Sequence, residues 1–209
     1  MWAILEGFAG HFCHRIPQRS LSADGVQCLF CYRCVGFYTS FVSTSILLIL
    51  CRHTKLNVKM FCIGIAFIII SIIDSVVEPG NNLRRVVLGN IGGVGFAVAI
   101  IPVFWQVFMH DPSERGHSEL TSPVSAWLLG LLVLFVQCGS WFVNWNKSLI
   151  AVVFLSVLSV VGILSLLFVA NVFCVSRIVR KRRRLTVALA TLLVPFELIL
   201  IPITRSIVH

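Results

Sequence analysis

The chain has 209 residues, of which 58% are hydrophobic and 12% charged, with a mean hydropathy of +0.97. Soluble domains run at about 45–50% apolar, and one this size lacks the interior to hide the excess, so a soluble globular protein is excluded and the lipid bilayer is the expected partner. The net charge of +9 comes from 17 basic against 8 acidic residues. Six of the cations (Arg177, Arg180, Lys181, Arg182, Arg183 and Arg184) sit in one short run, which gives the basicity a local cause and leaves no call for nucleic acid.

Residues 1–10 lack the basic n-region and apolar core of a cleavable signal peptide. Residues 11–36 then form a long polar stretch, with two of the six histidines and four of the eight cysteines. Spans are expected where about 17–25 apolar residues run with few charges. The first covers residues 35–51, followed by a basic turn with Arg52, Lys55 and Lys59. The second covers 58–77 and carries Asp74 near its end, before a polar hairpin at 78–85. The third, 86–109, contains Gly89 and Gly93, four apart on one face, which suits close helix packing.

A polar loop at 110–123 separates these from a fourth span at 124–143, a fifth at 149–174 and a last at 185–203. The last contains Pro195, Glu197 and Pro202, and a kink that turns Glu197 inward would reconcile them with lipid. The expected fold is therefore an all-α polytopic bundle of about six spans behind a Cys/His-rich polar N-terminal segment. Its units are residues 1–34 outside the membrane, a three-helix unit at 35–109, the polar loop, and a second three-helix unit at 124–209 with its basic loop at 177–184. Six spans place the loops after the first and fifth on one face, and their cations mark that face as cytoplasmic. The N-terminal segment then lies outside. The basic loop also suits contact with anionic lipid.

Two constellations bear chemistry. Cys13 and His14, with His11, stand before Cys31-x-x-Cys34 at the mouth of the first span. These five offer the donors of a site for zinc or another transition metal. Thiol-redox chemistry, a structural disulfide and ordinary buried thiols are the other readings. The turn residues Ser20, Ser22, Asp24 and Gly25 let the chain loop back so that Cys13 meets Cys31 and Cys34. In the second constellation Asp74 faces Arg84 and Arg85 across the polar hairpin, and a pair with Arg85 is expected. Both fall on one side of the membrane, so one shared site is possible.

The run Cys13-His14-x-Ile16-Pro17-x-Arg19-Ser20, then Cys31-x-Arg33-Cys34-x-Gly36-x-Tyr38, resembles the signature of an uncharacterised family of bacterial and archaeal integral membrane proteins. A second block resembles the same family: Asp74, then Asn82-x-x-Arg85-x-x-x-Gly89-x-x-x-Gly93. Ser75, Glu78 and Leu88 depart from its pattern. The resemblance implies a multi-pass protein of a prokaryotic cytoplasmic membrane with a linked set of polar residues, and it implies no reaction. Three classes of function are compatible with these residues. One is a membrane protein with an outward Cys/His metal or redox site. Another is a small transporter or channel using Asp74, Arg85 and Glu197. The third is an assembly factor whose cysteines staple the N-terminal segment.

Overall fold

A computed structural model describes residues 6–7, 9–10, 12–13, 16–50, 58–77, 81–108, 148–178 and 186–195. Within these, a 3-10 turn at Pro17–Arg19 leads into strand β1 (Ser20–Ala23), strand β2 (Val26–Cys31) and helices α1 (Tyr32–Leu50), α2 (Val58–Val77), α3 (Asn82–Phe108) and α4 (Leu149–Ile178). A short apolar helix, α5, follows at Thr186–Pro195.

The polar N-terminal stretch is a β-hairpin, which corrects the expectation of an all-helical chain. Asp24 and Gly25 form its turn with φ of 50° and 75°, the left-handed pair that a two-residue hairpin loop requires. The register runs Ala23↔Val26, Ser22↔Gln27 and then Ser20↔Cys31. Between the last two pairs β1 advances two residues (22 to 20) while β2 advances four (27 to 31), so β2 carries the bulge. Its consequence is local: Cys28, Leu29 and Phe30 are buried in succession instead of alternating.

Helix starts follow capping chemistry. The Asn81 side-chain oxygen accepts from the Arg84 amide at 2.8 Å, so α3 begins at Asn82 and takes in residues expected in a hairpin. The Ser148 hydroxyl accepts from the Ala151 amide at 3.2 Å and caps α4. Hydroxyl groups inside α1 bond back to their own helix, Thr39 to the Val35 carbonyl at 2.7 Å and Ser43 to the Thr39 carbonyl at 2.9 Å. This is how an apolar span carries hydroxyls without stranding them.

Helix α1 packs against α3 on one side and α4 on the other, and α2 packs on α3. Gly89 and Gly93 of α3 press on the α1 backbone at Arg33–Phe37 and Phe37–Phe41, where an added Cβ would meet backbone atoms. A lower cluster of Phe41, Val42, Leu48, Val94, Ala97, Val98 and Ile101 fills the seam. An upper cluster joins Leu21, Cys28, Leu29 and Phe30 of the hairpin to Val152, Leu155 and Ile163 of α4. Ile63, Ile65, Ile69, Ile70, Ile72 and Ile73 of α2 are exposed, as expected of a lipid-facing surface.

Among the described residues three helices are long and apolar enough to cross a membrane: Tyr32–Ile49, Asn82–Trp105 and Leu149–Ser176. The expected count of six is not supported. The 58–77 helix forms as expected but is not among the three, and the last apolar segment is described only over the short α5. The fourth expected span and the polar loop before it lie outside the described residues, as do Arg52, Lys55 and Glu197.

Candidate metal centre

The two ends of the hairpin segment meet at the start of α1. Cys31 closes β2 and Cys34 stands in the first turn of α1, with no connecting loop between strand and helix. Cys13, from the segment before the hairpin, is brought to them by the reversal at Asp24-Gly25. The Cys31 amide donates to the Cys13 sulfur at 3.2 Å, while the Cys13 amide donates to the Ala9 carbonyl at 3.0 Å. All three sulfurs lie within 4.8 Å of one another, Cys13 buried and the other two half-buried. Sulfurs sharing one tetrahedral zinc stand about 3.8 Å apart, given zinc–sulfur bonds near 2.3 Å. The cluster thus needs a contraction of at most about 1 Å to hold such an ion.

None of the three cysteines forms a disulfide among the described residues. Hydrogen bonding to Cys13 is the largest influence on the Cys31 thiol and raises its pKa, to which burial adds. Neutral thiols are poor nucleophiles. A soft cation is what would draw the protons off such a group. His11 and His14, expected as ligands, lie outside the described residues.

Cys28 belongs to a different set of contacts. The Ser156 hydroxyl donates to the Val152 carbonyl at 2.7 Å and accepts from the Leu29 amide at 3.2 Å. With its proton committed, Ser156 leaves the Cys28 thiol, 3.2 Å away, to act as donor. Burial pushes this thiol up from its ordinary value. Cys28 therefore anchors β2 to α4 and stands outside the cluster of three sulfurs.

Beside the sulfurs lies the acid. Asp74, 8% exposed at the end of α2, meets the Arg33 Nη2 through Oδ2 and the Arg84 Nη2 through Oδ1, the latter at 2.6 Å. The Arg33 contact is a hydrogen bond. The Arg84 contact is close but not aligned as one, since Oδ1 has no hydrogen-bond partner among the described residues. The expected pair with Arg85 is corrected: Arg85 turns to the Asn82 side-chain oxygen at 3.1 Å. The reason is the early start of α3, which sets Arg85 three residues past Asn82 on the same helix face. Asn82 in turn donates to the Gln18 carbonyl at 3.2 Å and ties α3 to the 3-10 turn that carries exposed Arg19. Arg85 lies within electrostatic reach of Arg19, Arg33, Cys31 and Asp74.

Arg33 is the residue that reading the chain did not single out for a role. Its signal was present: a cation in the first turn of one span, beside an acid ending the next, is placed to pair across an antiparallel contact. A buried polar pair was missed as well, Ser40 donating to the Asn90 side-chain oxygen at 2.7 Å inside the α1–α3 seam. Arg177 closes α4, while Arg180, Lys181, Arg182, Arg183 and Arg184 lie outside the described residues.

Residues 13–99 match a family described as Predicted membrane protein (DUF2085), a domain of unknown function. The matched region holds the three sulfurs, Arg33, Asp74, Asn82, Arg84 and Arg85, together with Gly89 and Gly93. No curated protein and no solved structure gives a significant match to the chain.

Proposed function

We propose, for a chain whose residues 13–99 match an uncharacterised family of membrane proteins, that Cys13, Cys31 and Cys34 bind a transition metal at one end of a helical bundle. The observation that carries this reading is the approach of three sulfurs to within 4.8 Å, one of them from a segment on the far side of a hairpin. Thiolate donors select zinc, copper(I) or iron over hard cations. Three protein ligands leave a fourth position, which His11 or His14 fills in a structural site and an incoming group fills in a reactive one. A redox dithiol is less favoured, because attacking thiols need a lowered pKa and that of Cys31 is raised.

The bundle crosses the membrane about six times in this reading, with the hairpin end outside. Support for the crossings comes from direction: Phe104, late in α3, packs on Phe173, late in α4, at 6.2 Å between ring centroids. The two helices run parallel, so a further crossing must return the chain between them. The basic run at Arg177, Arg180, Lys181, Arg182, Arg183 and Arg184 then faces the cytoplasm and its anionic lipid.

Metal analysis and thiol counting on detergent-purified protein test the site. About one zinc, copper or iron per chain is expected, lost alike in Cys13→Ser, Cys31→Ser and Cys34→Ser and retained in Cys174→Ser. Protein purified without metal, with two of these cysteines oxidised, would overturn it. Maleimide labelling of a cysteine introduced at Ser22, in intact cells against opened ones, reports which side the hairpin occupies.

A further inference from the structure

The positive charge beside the thiols exceeds what Asp74 can neutralise. Arg33 and Arg84 contact its two oxygens, and Arg85 stands close enough to Arg19 and Arg33 to be repelled by both. Four guanidinium groups against one carboxylate leave these five residues with a formal charge of +3. They arrive from four different places: the 3-10 turn, the first turn of α1, the last turns of α2 and the first turn of α3. Like charges gathered in this way repel one another, and an anion that joins them relieves the repulsion. The amino end of α3 adds to the positive potential.

The groups are also reachable. Arg19 and Arg84 are exposed and Arg85 is half-buried, while Arg33 is 23% exposed and held by Asp74. The Arg33 Nε is sealed from solvent and has no hydrogen-bond partner among the described residues. Asp74 thus acts as a spacer that fixes two guanidinium groups, and Asn82 fixes a third. Planar guanidinium donors match phosphate oxygens in pairs, and this holds for the singly charged diester of a phospholipid as for free phosphate.

We infer that this end of the bundle is a phosphate-binding site formed by Arg19, Arg33, Arg84 and Arg85, immediately beside the sulfur cluster. The phosphate is that of a phospholipid headgroup or a free phosphate, since the site lies where the spans end. The inference is independent of the metal: the arginines and the sulfurs are different groups, and each is removed without the other.

The test uses the full-length protein in detergent and in nanodiscs. Inorganic phosphate is titrated calorimetrically. Retention of phosphatidylglycerol over phosphatidylcholine is read by native mass spectrometry. Phosphate binding by the detergent-purified protein identifies a free anion, selective retention of phosphatidylglycerol identifies a headgroup, and either supports the site. In the Arg19→Gln/Arg85→Gln variant the observed binding weakens about tenfold or more, as expected for lost charge-assisted bonds. Arg85→Lys keeps part of it. Arg182→Gln/Arg183→Gln, in the basic run expected to meet anionic lipid, leaves the phosphate titration unchanged. Melting temperature reports that each variant is folded. If the double variant does not fold, Arg19→Gln on its exposed side chain carries the test. The site is disproved if neither probe binds, or if folded Arg19→Gln protein binds as the parent does.

Discussion

Helices α1 and α3, with the segments around them, are held together in two ways along the bundle. Deep in the bundle Gly89 and Gly93 let the two backbones touch, and the specificity lies in what is absent, a side chain. At the hairpin end charged and amide groups take over: Arg33 of α1 bonds Asp74 of α2, Arg85 bonds Asn82 within α3, and Asn82 bonds the Gln18 carbonyl of the 3-10 turn. The first region tolerates no added atom. The second is held by directed bonds at a surface where water or a ligand has access. A bundle in lipid gains little from apolar contact alone, so close backbone packing holds the α1–α3 seam.

The seam gives the largest expected effect. Gly93→Leu drives a side chain into the Phe37 carbonyl and should cost about 3 kcal/mol or more, seen as loss of folded protein after detergent extraction. A Gly93→Leu variant that melts like its parent would show that the helices do not approach this closely. Asp74→Ala comes next. It strands the half-buried Arg33, and breaking such a pair costs about 3 kcal/mol, whereas Arg84→Ala at the same carboxylate, 47% exposed, should cost about 1 kcal/mol or less. Equal effects in thermal melts would mean that the two arginines are equivalent partners.

A smaller loss is expected for Ser156→Ala, which removes the partner of both Cys28 and the Leu29 amide. About 1–2 kcal/mol is reasonable for a buried group left unpaired, and faster amide exchange in β2 with α1 unaffected would localise it. The smallest effect is that of pH. The Cys28 pKa is raised in the fold, so the folded state holds its proton more tightly than the unfolded chain does. That contribution is complete below the unfolded value of 9.0 and is lost as pH climbs from there through the folded value. Melting temperature should fall more steeply above pH 9.0 in the parent than in Cys28→Ala.

The seam was readable because glycines four apart in an apolar run have one common physical use. The helices at 58–77 and from 149 onward were readable from length and composition, and the approach of Cys13 to Cys31 and Cys34 from the turn residues between them. The hairpin itself was not. Val26–Cys31 lacks strict alternation, because the bulge and the docking on Ser156 bury three successive residues. The partner of Asp74 was misjudged for a related reason. Sequence distance favoured Arg85, but the cap at Asn81 winds 82–85 into helix and turns Arg85 toward Asn82. Arg33, forty-one residues before Asp74, becomes a neighbour only through the antiparallel return of α2.

Arg33 and Cys34 are consecutive in the first turn of α1, and Cys31 precedes that turn directly. Arg33 bonds Asp74, which also meets Arg84, so this turn of α1 shares one carboxylate with the end of α2 and the start of α3. The turn that carries Cys34 and the clasp of the helix ends are therefore one connected piece of structure, and Asp74→Ala cuts the connection.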